Sequence, residues 1–251
     1  MNLFTDKVVV ITGAASGIGC KAAINFAKNG ANLVLNDIND FRLEEVTKNI
    51  KSFNTAIVAA PGDVANSIEC NKLVELALEK FNKIDILINN AAVAPLTRPL
   101  ELIDDEEWNS TICIDLNSAF YCMRAVLPHM KEKKYGKIIN VSSSAGRSIS
   151  TFAGAHYTTA KAGILGLTRH AAFEYAPYNI NINAIAPGTI DTELLRKSAT
   201  TEKINLESEK IPMRRLGTTD DIYNLISFLA SDQSSYINGA TIDINGADLL
   251  L

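Results

Sequence analysis

A single-domain α/β fold, with a doubly wound parallel sheet of about seven strands and helices on both faces, is what this 251-residue sequence predicts. Three observations carry that expectation. Short apolar runs alternate with stretches of helical spacing along nearly the whole chain, the pattern of a parallel sheet covered on both sides. The first run, residues 8–11, is continuously apolar (Val-Val-Val-Ile) rather than alternating, as suits a strand buried on both faces. The runs also end on small or polar residues, among them Gly13, Asp37, Asp63, Asn90, Ser143 and Gly188, at the carboxyl ends where such sheets bind ligands.

Taken in order, the first strand breaks at Thr12-Gly13 into a glycine-rich turn that closes on Gly17 and Gly19. Ile18, Ala22, Ala23, Phe26 and Ala27 then keep helical spacing until Asn29-Gly30 stops the helix. A second strand (32–36) ends in Asp37. A helix (41–50), a strand (55–60), a helix (67–81) and a strand (84–89) follow. Residues 100–107 lead into a long helical stretch reaching Met130, and 136–141 is the fifth strand. A long helix (157–175) precedes the sixth strand (180–185). Residues 192–210 are polar, with Leu194, Leu195, Ile204 and Leu206 as an apolar inner face. They read as a long loop acting as a mobile lid. A helix (220–230) and a last strand (240–244) complete the pattern. No linker, low-complexity tract or repeat divides residues 1–251 into more than one domain.

Composition narrows the function. The chain is 47% hydrophobic and 21% charged, enough for a sizeable core. Its net charge of −4 and lack of a basic stripe argue against nucleic acid or an anionic membrane as partner. No apolar run approaches membrane-spanning length, and the first seven residues lack an apolar signal core or an arginine-rich transit pattern. Cys20, Cys70, Cys113 and Cys122 have no metal-ligand spacing, and most sit in apolar helical patterns as small hydrophobes. The expectation is a soluble, cytoplasmic protein without disulfides or metal, acting on a small molecule.

A glycine trio alone reads equally as a tight turn with close helix–sheet packing. Set between a strand and a helix, with a second strand ending in Asp37, it points to a dinucleotide. Bare backbone lets a pyrophosphate approach, and the helix N-terminus offers unpaired N–H groups and the positive end of a dipole. An acidic residue about 20 residues beyond the glycines can hydrogen-bond an adenosine ribose, which is the Rossmann arrangement, and Asp37 fills that role. Its charge repels a 2′-phosphate. No arginine or lysine stands in the turn or directly after Asp37 to offset that, Arg42 being the nearest, so NAD is expected over NADP. Asp63 and Val64 can set a carboxylate and an apolar contact at an adenine ring, and Asn90 and Ala91 can bring backbone close to the cofactor. The plainer reading of each alone is a turn former or a helix cap.

Tyr157 and Lys161 lie on one helical face, at positions i and i+4. Unperturbed, a phenol and an ammonium titrate near pKa ~10 and ~10.4, useless for proton transfer at neutral pH. A fixed positive charge beside a phenol favours the phenolate, so Tyr157 can serve as general acid or base near pH 7. Ser143, at the end of the fifth strand, can hydrogen-bond a substrate oxygen. His156, beside the tyrosine, reads as a packed or solvated residue rather than a catalytic one.

Thr12-Gly13-Ala-Ala-Ser16-Gly17-Ile18-Gly19, Asn89-Asn90-Ala91, Ser143, Tyr157-Thr-Thr-Ala-Lys161 and Pro187-Gly188-Thr-Ile190-Asp-Thr192 together resemble the motif set of the short-chain dehydrogenases/reductases, from about residue 7 to residue 246. The resemblance implies reversible hydride transfer between an alcohol or ketone and a nicotinamide nucleotide, without metal. It makes Tyr157 the acid/base, Ser143 the group that positions the carbonyl, and Lys161 the residue that binds the nicotinamide ribose. Pro187, Gly188, Ile190 and Thr192 would flank the nicotinamide. Family members are commonly tetramers, so a homotetramer is implied.

Three positions depart from that pattern. Ala92 replaces a glycine after Asn-Asn-Ala, and Asn245-Gly246-Ala247 replaces Asp-Gly-Gly. Asp115 stands where the family carries a fourth catalytic residue, an asparagine, and Asn117 lies on another helical face. The alternatives within the same chemistry are an acyl-carrier-protein ketoreductase and a hydroxysteroid-type dehydrogenase. For the former, the arginine that often precedes the sixth strand is replaced by Tyr178. A nucleotide-binding redox sensor is the non-enzymatic alternative, against which Ser143, Tyr157 and Lys161 all stand.

Overall fold

Strands β1 (Val8–Thr12), β2 (Asn32–Asp37), β3 (Ile57–Pro61), β4 (Ile86–Asn89), β5 (Gly136–Val141), β6 (Ile180–Pro187) and β7 (Thr241–Ile244) form one sheet in the order β3-β2-β1-β4-β5-β6-β7. The computed structural model describes residues 3–53 and 55–251, so the N-terminal reading of Met1 and Asn2 lies outside the described residues. Every neighbouring pair of strands is parallel. Successive side chains of β1 serve opposite faces, as the pleat requires. Val9 and Ile11 pack with α1 (Gly17–Lys28), α2 (Asp40–Ile50) and α9 (Thr219–Ala230). Val10 packs with α3 (Ser67–Phe81), α5 (Ser118–Lys133) and α6 (Ala155–Tyr175). This two-sided burial explains the unbroken apolar runs. Phe26, fully buried on α1, meets Phe4 and Tyr223 edge-on with centroids 4.8 and 5.4 Å away. Burying a ring of that size stabilises by about 1.5–3 kcal/mol.

The sheet order reverses direction at β1, whose neighbours are β2 and β4. A crevice opens there beyond the strand ends, the place where such sheets take ligands. Several other helix N-termini are closed by N-cap side chains: Asn39 caps α2, Asn66 caps α3, and Thr218 and Asp221 form a capping box on α9. Helix α1 differs. Ser16 makes no side-chain cap, so the first-turn N–H groups face the crevice without intrahelical acceptors.

Two regions depart from the sequence expectation. The stretch reaching Met130 is α4 (Asp105–Ile112), a π-helical turn at Cys113–Asn117, then α5. Regular 3.6-residue spacing gives no sign of that turn. Residues 192–210 are not a loop but two helices, α7 (Glu193–Ser198) and α8 (Thr201–Lys210). Thr192 and Thr200 each accept an N–H from the residue three positions on, which starts both helices. Leu195 is buried beneath them, while Leu206, expected on the inner face, is exposed. The four cysteines are free thiols.

Candidate active site

The crevice is a cleft of about 620 Å³ running from the glycine turn to the ends of β5 and β6. At one end Gly13 adopts φ +64°, and a Cβ there would sit 2.9 Å from the Ala91 Cα, so only glycine fits this turn. Thr12 draws the end of β4 onto it, its Oγ1 accepting the N–H groups of Asn90 and Ala91 at 3.0 and 3.1 Å. The Asn90 amide donates back to the carbonyls of Thr12 and Gly13, both at 3.0 Å. Asn90 thus fixes the shape of the turn besides lining the cleft. Ser16, Gly17 and Ile18 line the same end, whereas Gly19 is buried in the first turn of α1 and is not part of the wall.

Asp37 lines the cleft at the end of β2. Its two carboxylate oxygens accept the N–H groups of Ala15 and Asn39, both at 2.9 Å. Asp37 therefore braces the glycine turn and the start of α2 together. Asp63 is exposed, with one oxygen accepting the Ala65 N–H at 2.9 Å, and Val64 is buried beside it. Toward the other end, Pro187, Gly188, Ile190 and Thr192 line the wall where β6 leads into α7. Gly188 is held by its N–H on the Ile244 carbonyl at 3.0 Å.

Ser143, Tyr157 and Lys161 come together in this cleft. The Ser143 Oγ accepts the Ala145 N–H at 3.1 Å, which leaves its hydroxyl proton free for a ligand. The Lys161 ammonium, almost wholly buried, lies 5.6 Å from the Tyr157 ring centroid and donates to the Val141 carbonyl at 3.3 Å. Behind it stands Asp115, placed by the π-turn and 2% exposed. Asp115 Oδ1 accepts the Val93 N–H at 2.8 Å, and Oδ2 lies 3.6 Å from the Lys161 ammonium. At that distance the lysine is an ion-pair partner rather than a hydrogen-bond donor, and Oδ2 has no hydrogen bond. Burial pushes the Asp115 carboxyl above its ordinary range, and Lys161 with the Val93 N–H pulls it only partly back. Asp115 is not in the cleft wall; it touches the site through Lys161.

Of the two readings of His156, packed or solvated, the structure shows the packed one. It is fully buried, and its Nδ1 accepts the N–H of Tyr157 at 2.9 Å. A backbone donor on Nδ1 leaves the ring proton on Nε2, which is 2.8 Å from Glu107 on α4. The other Glu107 oxygen pairs with Arg98 at 2.8 Å. Gly154, which offers α6 no side-chain cap, is needed because a Cβ there would lie 2.6 Å from the ring. His156 thus caps the first turn of the helix that carries Tyr157 and ties it to α4. The sequence carries no signal for this, since Glu107 and Arg98 are far away in the chain. Replacing His156 by Leu leaves the part-buried Tyr157 N–H and one Glu107 carboxylate oxygen without their partner. It is expected to lower stability by about 2 kcal/mol, read as a lower urea midpoint at unchanged slope. An unchanged midpoint would show that the network contributes nothing.

The departures from the family pattern also resolve here. Ala92 sits at an ordinary negative φ, so glycine is not required there. Ala247 adopts φ +69°, a left-handed conformation that glycine would take without strain.

Comparison with known proteins agrees with this geometry. Residues 13–246 match the family model described as enoyl-(acyl carrier protein) reductase. The chain is 38% identical over 255 residues to L-rhamnose-1-dehydrogenase of Scheffersomyces stipitis, covering 98% of this chain and 96% of that protein. It is 35% identical over 242 residues to the 3-oxoacyl-[acyl-carrier-protein] reductase FabG of Thermotoga maritima, covering 96% of each. Among solved structures, 3-ketoacyl-(acyl-carrier-protein) reductase from Brucella melitensis complexed with NADH superposes with a TM-score of 0.91 at 31% identity, over 98% of this chain and 99% of that one. Among the described residues no helix is long and apolar enough to cross a membrane. With its glycine turn at the sheet's switch point, its Ser–Tyr–Lys cleft and these relatives, the chain is an oxidoreductase of the short-chain dehydrogenase/reductase family.

Proposed function

We propose that the protein transfers a hydride between NAD(H) and a secondary alcohol or ketone, with Tyr157 as general acid/base. The observation that carries this reading is the convergence of Ser143, Tyr157 and Lys161 at one end of a cleft whose other end is a bare glycine turn. The residues present suit a nicotinamide nucleotide: the uncapped start of α1 offers N–H groups to a pyrophosphate, and the Gly13 backbone leaves room for it. Bound there, the cofactor supplies or accepts the hydride. Gly13, Ser16, Gly17 and Ile18 hold the phosphates, and Asp37 takes the adenosine ribose. Asp63 and Val64 take the adenine, with Asn90 and Ala91 at the middle of the cleft. Pro187, Gly188, Ile190 and Thr192 flank the nicotinamide. Ser143 donates to the substrate oxygen. Tyr157 gives or takes its proton, and Lys161 adds the positive charge that favours the phenolate.

Asp37 supports NAD over NADP, because its carboxylate disfavours a 2′-phosphate at the ribose. Turnover of a secondary-alcohol panel with each nucleotide tests the reading. A clear kcat/KM advantage for NAD is expected, and replacing Asp37 by Ser should shrink it about tenfold or more. Comparable kcat/KM values for the two in the native protein would remove the reading.

A neutral, hydroxyl-bearing substrate is favoured over a carrier-bound one. Three cations near the ends of β5 and α8 are engaged. Arg147 pairs with Asp243 at 2.9 Å, Lys203 donates to the Thr151 carbonyl at 3.1 Å, and Lys210 pairs with Glu207 at 2.8 Å. Glu207 and Asp248 line the cleft as hydrogen-bond acceptors. The FabG relatives support a second reading, a 3-oxoacyl thioester reductase. A panel holding both free sugars and acetoacetyl thioesters separates the two.

Helices α7 and α8 are read as the lid. Leu194 and Leu195 line the cleft, while α8 leaves no residue fully buried. Adding NAD and substrate should slow amide hydrogen exchange across residues 192–210. Unchanged exchange there would end the lid reading. The reading extends to a homotetramer, supported by Phe120, Phe173 and Phe228, which the single chain leaves exposed on three different helices.

A further inference from the structure

Arg42 on α2 and Glu193 on α7 meet beside the end of the cleft that Asp37 and Thr192 line. The guanidinium grips the carboxylate with both prongs, Nη1 to Oε2 at 2.8 Å and Nη2 to Oε1 at 2.9 Å. Lys197 adds a second cation to Glu193 at 2.9 Å. Together they pull the Glu193 carboxyl down to about 2, so it stays ionised at every working pH.

The place of this pair in the fold gives it a meaning. Arg42 belongs to the turn that starts with Asp37. The Asp37 carboxylate accepts the Asn39 N–H, and the Asn39 side chain accepts the Arg42 N–H at 3.1 Å. The Arg42 guanidinium also feels the Asp37 charge. On the other side, Thr192, the neighbour of Glu193, packs against the glycine turn, its Cγ2 lying 3.7 Å from where a Gly17 Cβ would be. Glu193 therefore stands where α7 meets the phosphate end, and Arg42 stands one turn beyond the ribose carboxylate. The glycine turn itself has no lysine or arginine, and Lys21 on α1 is paired with Asp220 at 2.9 Å.

A guanidinium fork holds one carboxylate or one phosphate in two-pronged fashion, and not both at once. We propose that Glu193 is a specificity-determining residue that rejects 2′-phosphorylated nucleotides by occupying the fork of Arg42, the cation placed to receive that phosphate. Asp37 acts by repulsion, and Glu193 acts by withdrawing the one group that would offset it. The proposal rests on the reading that the adenosine ribose of NAD lies at Asp37.

The test is binding, with the full-length protein. Dissociation constants for NADH and NADPH are measured by fluorescence titration for the native protein, Glu193→Gln, Arg42→Ala and the double variant. Both side chains are exposed at the surface, so folding should survive each change. Glu193→Gln is expected to tighten NADPH binding about three- to fivefold, the upper part of the range for one exposed ion pair released to a phosphate, with NADH moved less than twofold. Removing Arg42 as well should abolish the gain. An equal change for both nucleotides would make the pair a structural strap only and overturn the proposal, as would a gain that persists without Arg42. A native protein that binds NADH and NADPH equally defeats the NAD reading and the proposal with it. A native preference for NADH that Glu193→Gln leaves unaltered overturns the proposal alone.

Discussion

Replacing Tyr157 by Phe is expected to lower kcat by about 10²–10⁴-fold, the usual contribution of a positioned proton donor, while NADH binding stays within about twofold. The phenyl ring keeps the packing of the side chain on the first turns of α6 and loses only the hydroxyl. His156 still caps the Tyr157 N–H, because that bond is made by backbone, so the local fold survives the change. Lys161 keeps its bond to the Val141 carbonyl and its pairing with Asp115. The check is a kcat determination beside a fluorescence titration of NADH on the same preparation. Retention of more than a tenth of native kcat would take the proton-transfer role away from Tyr157. Parallel loss of nucleotide binding would point to a collapsed site instead.

Asp115→Asn should give a protein that is active, more stable at alkaline pH, and shifted in its pH profile. The sign follows from burial. The carboxyl is held above its ordinary value because desolvation outweighs the help from Lys161 and the Val93 N–H. A group raised in the folded state contributes its stability fully below the unfolded pKa of about 3.9 and loses it as pH rises through the folded value. Asparagine has the same shape, keeps an acceptor for Val93 and does not titrate. Its urea midpoint should therefore exceed the native one at pH 8, with the gap closing toward pH 4. An ionised Asp115 also cancels part of the Lys161 field at Tyr157. Its removal should move the alkaline limb for alcohol oxidation down by about one pH unit, the lower end of what a charge a few ångströms away does. The stability comparison and the rate profile are separate readouts. A rate profile that does not move, with kcat intact, shows that Asp115 does not act on Tyr157 and leaves it a buried partner of Lys161. Midpoints that differ equally at both pH values would show that the raised carboxyl is not the cause.

The sequence by itself determined the sheet, the glycine turn and the Ser–Tyr–Lys constellation. These are written in local terms. An apolar run long enough for a strand, a Gly13 that must take φ +64°, and a Tyr157–Lys161 spacing that shares a helical face are each settled within a few neighbouring residues. Asp37 was legible for the same reason, as the acidic end of the second strand. Counting along the chain also found Asp115, but not the π-turn that aims it or the 3.6 Å that brings it to Lys161. Only the tertiary structure decided the rest. It made His156 a fully engaged cap because Glu107, 49 residues away, is folded against it. It turned residues 192–210 into two helices and joined the first of them to α2 through Arg42 and Glu193, which are 151 residues apart. Apart from the local Thr192 and Thr200 caps that start the two helices, each of these depends on a charge or a hydrogen-bonding group finding a partner distant in the chain. Which partner it finds is set by the packing of the whole domain, and local periodicity carries no record of that.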